Sequence, residues 1–181
     1  MSGGRIAISP HPDATIVAKR SAIIGNTCLY GATGGELYAA GQAGERFAVR
    51  NSGAVAVVEG LGYHGCEYMT SGTVVVLGRT GANFAAGMTG GRAFVLDMND
   101  NFERRCNQEQ VTVANINTAE DSSDRALLMA LIEAHVRYTG SVWGQRILDN
   151  FDHFMFNFRV VEPRQDNVEK KAVSMPLKVV G

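Results

Sequence analysis

Four consecutive blocks of nineteen residues fill the front half of this chain, and every block closes on glycine. They run Ile16–Gly34, Gly35–Gly53, Ala54–Gly72 and Thr73–Gly91. Blocks two to four open on strand-like runs, Glu36 to Ala40, Ala54 to Glu59 and Thr73 to Leu77. A second strand-like run follows in mid-block: Phe47–Val49, Cys66–Met69 and Asn83–Ala85. A unit this short cannot bury its own apolar face, so it must stack on its neighbour as a solenoid. Six-residue glycine steps (Gly25 to Gly31, Gly72 to Gly78) alternate with three-residue steps (Gly31 to Gly34, Gly78 to Gly81). Unequal sides fit a right-handed parallel β-helix with coils of about 19 residues better than an equal-sided hexapeptide helix.

Coils of this kind stack at about 4.8 Å with alternate side chains pointing into a narrow apolar core. The candidates for inward or stack positions are Leu37, Phe47, Val49, Val55, Val57, Tyr68, Val74, Val76 and Phe84. Of 21 glycines, 16 lie between Gly25 and Gly91, interleaved with β-branched and aromatic residues, which a disordered segment would not need. The corners expected to require glycine are Gly34, Gly44, Gly53, Gly65, Gly72, Gly81 and Gly90.

Beyond Gly91, Arg92 to Leu96 reads as one more strand, and Val111 to Val113 as a final short one. At Ser122-Ser123-Asp124 the texture changes to N-cap residues. Leu127, Leu128, Leu131, Ile132, His135 and Val136 then recur at helical spacing up to Gly140. Ser141 can cap a second helix carrying Trp143, Ile147, Leu148 and Phe151. The expected organisation is a glycine-rich all-β solenoid over 1–121, a short α-helical segment over 122–163 that closes the last coil, and a flexible tail over 164–181.

Chemistry-bearing residues are sparse. Gly60-Leu61-Gly62-Tyr63-His64-Gly65 matches GxGxxG, but strand-like sequence follows where a dinucleotide site needs a helix, so it reads as a tight corner. His64, Cys66 and Glu67 are the best local candidates for a nucleophile and base, without a visible orienting group. His11, His135 and His153 have no partner at metal-ligand spacing, and Glu45, Arg46 and Arg50 read as a solvated or interdomain face. Between Gly25 and Gly91 the acids are Glu36, Glu45, Glu59 and Glu67, which fall at different places in the repeat and form no lyase-like cluster. A net charge of −1 gives no footprint for nucleic acid or an anionic membrane. Three cysteines (Cys28, Cys66, Cys106) without a CxxC pair read as free thiols of a cytoplasmic protein, since no secretory pattern opens the chain.

The strings Gly31-Ala32-Thr33-Gly34-Gly35, Gly44 to Ala54, His64 to Thr70 and Asn83 to Gly91 resemble the C-terminal domain of the glutamate synthase large subunit. The stretches His135 to Ser141 and Arg146-Ile147-Leu148 resemble the segment that follows it, so the resemblance covers roughly 3–163. Tyr63 stands where that family typically has aspartate, and Ser71 where glycine is usual. The resemblance implies a right-handed β-helix that braces the amidotransferase and FMN domains of an oxidoreductase of glutamate biosynthesis, with no catalytic, cofactor-binding or metal-binding residue of its own. FMN and an iron–sulfur cluster are expected in the parent enzyme, not here. It further implies coils preceding Gly3, hence a fragment or shortened relative whose N-terminal coil, around Ile6 to Ile24, self-associates. A stand-alone β-helix subunit assembling with separately encoded oxidoreductase partners is the alternative, as similar repeats do in formylmethanofuran dehydrogenase.

Overall fold

The computed structural model describes residues 1–11, 13–17, 20–116 and 122–164; the expected tail beyond Arg164 lies outside the described residues. The coil strands are β1 (Ser2–Ile8), β2 (Ala22–Ile24), β3 (Gly34–Ala43), β4 (Ser52–Leu61), β5 (Thr70–Val76) and β6 (Gly90–Leu96). They are followed by β7 (Val111–Asn115), α1 (Ser122–Thr139), α2 (Val142–Asp149), α3 (Phe151–Met155) and β8 (Phe158–Pro163). One sheet runs in the order β1-β3-β4-β5-β6-β8-β7, with β2 paired on β3. The pairs from β1 to β6 are all parallel, as a stack of coils demands. The fold is a parallel β-solenoid of about four turns with short helices near the C-terminus.

The stacking step is not uniform. Glu36 faces Val55 and Thr73 faces Arg92, a step of nineteen, but Ala56 faces Val74, a step of eighteen. The register shifts between Ser52 and Val55, where β4 holds an extra residue. The buried Asn51 side chain braces that bulge: its Oδ1 accepts from the Ala54 amide at 2.9 Å and its Nδ2 donates to the Ala54 carbonyl at 2.9 Å. Because strand side chains alternate, a one-residue slip sends a residue to the opposite face. This corrects the expectation for Val55 and Val57. Ala56 and Val58 point into the solenoid with Leu37, Val74 and Val76, while Val57 points outward beneath the helices and Val55 is only half-buried.

The first coil also departs from the period. Arg5 pairs with Glu36, 31 positions on, so the chain between β1 and β3 includes an excursion that block Ile16–Gly34 does not reveal. That coil therefore starts at β1 rather than at Ile16.

The mid-block runs are arches instead of strands. In each, alternate residues hold a positive φ: Arg46, Ala48 and Arg50 (57°, 55° and 55°), then His64, Cys66 and Tyr68 (64°, 57° and 54°), with Asn83 and Ala85 (59° and 61°) in the next coil. Such backbone is costly for a side chain and persists only where its surroundings fix it. The stack fixes it by hydrogen bonding coil to coil. The Arg46 amide donates to the Tyr63 carbonyl at 2.8 Å, Cys66 donates back to Phe47 at 2.8 Å, and Tyr68 donates forward to Ala86 at 2.8 Å. Tyr68, expected in the stack interior, is 55% exposed because the arch turns it outward.

Two apolar layers result. The inner one joins Phe47, Met69, Val74, Phe84 and Phe102 inside the coils. The outer one joins Tyr38, Val57, Val75 and Phe94 on the outer sheet face to Leu128, Ile132, Ile147 and Phe151 of the helices. Both faces of β4 and β5 are thereby buried along their second halves, which explains the near-continuous apolar runs Val55–Val58 and Thr73–Leu77. The 122–163 segment is not purely helical. Its β8 pairs antiparallel with both β6 and β7, closing the sheet after the last coil, while α1 lies along the flank and reaches back to β1, where Arg5 covers the Tyr138 ring at 4.0 Å.

Candidate functional site

The residues singled out for chemistry sit in the arch of His64 to Tyr68, and its alternating backbone keeps them apart. The His64 side chain is 42% exposed, whereas Cys66 is fully buried two residues later. His64 Nδ1 lies 2.7 Å from Glu67 Oε1. Asn83 Nδ2 donates to the same oxygen at 2.7 Å, and Asn107 Nδ2 donates to Asn83 Oδ1 at 3.2 Å. These four side chains form a polar ladder up consecutive coils. It binds arch to arch and leaves His64 committed to a carboxylate rather than to a thiol. Burial and the neighbouring Cys106 push the Cys66 thiol well above its ordinary range, and burial pushes Cys106 to about 12. A thiol held protonated is a poor nucleophile. β5, not a helix, follows Gly60–Gly65, so no helix N-terminus is offered to a pyrophosphate.

The remaining candidates separate. His11 lies on the surface beside Asp13 at 3.6 Å, and His153 stands edge-on to Phe154 at 5.6 Å. Glu45, Arg46 and Arg50 are exposed, with the Arg50 guanidinium 6.0 Å from the Tyr68 ring centre. Among the described residues no group of three His, Cys, Asp or Glu side chains is placed to hold a metal ion. Nor is any helix long and apolar enough to cross a membrane.

Of the seven glycine corners, only Gly72 needs a positive φ, +92°. Gly44, Gly53, Gly81 and Gly90 meet a different obstacle: backbone of the preceding coil lies within 2.8 Å of where a Cβ would sit, whereas at Gly34 the nearest atom, the Ser2 carbonyl oxygen, is 3.1 Å away. At Gly53 the Thr33 carbonyl oxygen would lie 2.5 Å away. A Cβ on Gly65 would meet Leu61 Cδ1 at 2.7 Å and the Phe84 ring at 3.1 Å, so the missing side chain is what lets the neighbouring coil's ring pack.

A second polar cluster, which sequence reasoning left unassembled, joins β4 to the helices. Glu59 is 2% exposed. The Ser141 hydroxyl donates to Glu59 Oε1, and His135 Nε2 lies 3.5 Å from the same oxygen. Ser141 also caps α2, its Oγ accepting from the Gly144 amide at 2.8 Å. Thr139 Oγ1 donates to the His135 carbonyl at 2.6 Å, and the Gly140 amide donates to Val136 at 2.8 Å, closing α1. The Trp143 indole donates to the Leu77 carbonyl at 2.6 Å, so the start of α2 is anchored to two coils at once. Glu59 and His135 are 76 positions apart, beyond any local pattern. The only sequence signal was an acid inside an apolar strand.

The glycine columns, the arches and the closing β8 belong to one contiguous unit, and the family model of the GXGXG motif matches it over residues 1–164. The chain belongs to the GXGXG-motif family. It matches the C-terminal region of the glutamate synthase large subunit. It is 50% identical over 165 residues to the glutamate synthase (NADH) of Schizosaccharomyces pombe, covering 91% of this chain and 8% of the relative. Ferredoxin-dependent glutamate synthase 2 of Synechocystis sp. is 49% identical over 172 residues, covering 95% and 11%. Ferredoxin-dependent glutamate synthase 1 of Arabidopsis thaliana is 46% identical over 175 residues, covering 96% and 11%. The chain thus spans about a tenth of the length of the curated relatives it matches.

Proposed function

We propose that this chain is a structural scaffold of a cytoplasmic glutamate synthase, bracing its amidotransferase and FMN domains and contributing no catalytic residue. The observation that carries the reading is where the reactive side chains are. Cys66 is sealed in the core, His64 and Glu67 are bound into an inter-coil ladder, and Glu59 and His135 tie the helices to the solenoid. Each is used to hold the unit rigid, which suits a part that positions others. FMN and the iron–sulfur cluster belong, on this reading, to the rest of the parent protein. The oxidoreductase activity is likewise the parent's.

The test separates bracing from chemistry. This chain and a glutamate synthase lacking it are expressed as two polypeptides, and glutamine-dependent glutamate formation is measured with each alone and together. Co-elution on a sizing column and turnover only on mixing are expected. His64→Ala and Cys66→Ser should each leave turnover of the mixture within about twofold, whereas a loss of about a hundredfold is what a general acid–base residue would give. That larger loss in a folded variant refutes the non-catalytic reading. The purified chain alone should be colourless; stoichiometric flavin absorbance would also count against it.

A further inference from the structure

Two arginines share a narrow cleft where the turn after β5 meets the loop after β6. It is lined by Arg79 and Thr80 from the turn and by Asp97, Asn99, Phe102 and Arg105 from the loop. Its volume is about 80 Å³, which takes one small head group and not a whole drug-sized ligand. Arg105 is half-buried and held in place: its Nη1 donates to the Thr80 carbonyl at 2.9 Å, which uses one of the five N–H donors of a guanidinium. Arg79 is exposed. Among the described residues neither guanidinium forms an ion pair with a carboxylate. The carboxylate in the lining, Asp97, is spent on backbone: it is buried, Oδ1 accepts from the Asn101 amide at 3.2 Å, and Oδ2 accepts from the Phe102 amide at 2.9 Å. The two cations repel each other. Burial, and after it the charge of Arg79, hold the Arg105 guanidinium below its ordinary range, and Asp97 opposes this less than either promotes it. An arginine does not relieve such repulsion by losing its proton, so a counter-anion is what lowers the energy of the pair.

We propose that this cleft binds a carboxylate, held between the Arg79 and Arg105 guanidiniums. Two guanidiniums beside one aspartate leave a single positive charge to neutralise, which one carboxylate matches and a phosphate dianion exceeds. A carboxylate also has the geometry, since its two oxygens carry about four lone-pair sites and can accept from two planar guanidinium forks at once. The small volume admits the head group and leaves the rest of the ligand outside. The same group can come from a free carboxylic acid or from a glutamate or aspartate side chain of another protein segment. The inference goes beyond the scaffolding role and stands with or without it.

Arginine Nε–H signals in NMR report on the cleft, and those of Arg79 and Arg105 are the ones lost in Arg79→Gln and Arg105→Lys. Titration of the chain with sodium acetate, at an ionic strength held constant with chloride, should move both signals saturably. Arg79→Gln, on an exposed side chain without an ion pair, should weaken acetate by about tenfold or more as read on the Arg105 signal, the scale of one charge-assisted hydrogen bond. Arg79→Lys, which keeps the charge and loses the fork, should recover part of that loss. Arg50→Gln, an equal loss of charge on an arch, should leave acetate binding unchanged. A short peptide carrying one glutamate and its glutamine form, run in parallel, separate the two sources. Tighter binding of the glutamate peptide than of acetate points to a protein segment, and binding no tighter points to a free acid. No saturable shift, an equal response to chloride or to the glutamine peptide, tighter binding of inorganic phosphate than of acetate, or unchanged binding in folded Arg79→Gln would overturn the assignment.

Discussion

Replacing glycine by alanine at four positions separates the two physical reasons this chain needs glycine. Gly140 has φ +66° with nothing within 4 Å of a Cβ, so alanine there meets backbone strain alone. Gly53 has an ordinary φ, but its Cβ would lie 2.5 Å from the Thr33 carbonyl oxygen, so alanine there meets only a collision with the preceding coil. Gly72 combines both: φ +92°, with the Ala54 carbonyl closer still and Asn51 Nδ2 at 2.7 Å. Gly3 has neither. The left-handed term costs roughly 1–2 kcal/mol. The collision costs roughly 1–3 kcal/mol, because the struck atoms belong to a hydrogen-bonded ladder that can yield only by losing its register. The expected losses are then about 0 for Gly3→Ala, about 1–2 for Gly140→Ala, about 1–3 for Gly53→Ala and about 2–5 kcal/mol for Gly72→Ala. Urea unfolding with linear extrapolation reads these directly, provided the slope m is unchanged. For a chain of this size each kcal/mol moves Tm by roughly 2–4 °C, so Gly72→Ala should melt about 4–20 °C lower. A neutral Gly53→Ala would refute the close-approach argument. Gly72→Ala no worse than Gly140→Ala would show that the coils relax around a Cβ and that stacking is looser than the geometry implies.

Ser141→Ala removes a helix cap and the hydroxyl donor to a buried carboxylate, so a loss of about 2–4 kcal/mol is expected, and Ser141→Thr should recover part of it. A loss under about 0.5 kcal/mol would mean the Glu59 cluster does not hold the helices to the coils. The raised thiols of Cys66 and Cys106 keep their protons in the folded chain after unfolded thiols would release them, so stability falls as pH rises above about 9. Cys66→Ala should flatten that fall by up to about 1.4 kcal/mol per pH unit; identical pH profiles for the two proteins would refute the burial argument. In the folded chain Cys28, which is half-buried, should react with a maleimide before either of the others. Among the described residues β1 ends the sheet with one edge unpaired and is mostly exposed, so light scattering at micromolar concentration should report self-association that Arg5→Pro or Ala7→Pro abolishes; a monomer throughout would sink the idea.

The nineteen-residue spacing of glycine determined the solenoid, because a repeat that cannot bury its own apolar face has no other way to fold. It also placed β3 to β6, and the change to helical spacing after Ser122 found α1 and α2. Phe47, Val74 and Phe84 were legible as core for the same reason. What sequence could not give was parity. A strict period assigns Val55 to the column of Val74, and one extra residue at the Asn51-braced bulge hands that place to Ala56. The arches were equally hidden: Cys66-Glu67-Tyr68-Met69 has the composition of a strand, and only hydrogen bonds to coils on both sides hold its residues in alternating left-handed backbone. Those bonds turn Tyr68 out and Cys66 in, and so shut away the thiol that the sequence offered as a candidate nucleophile. The Glu59–His135–Ser141 cluster belongs to tertiary structure outright. Its members are ordinary residues far apart in the chain, and nothing but the docking of α1 and α2 on β4 gives a buried carboxylate its partners.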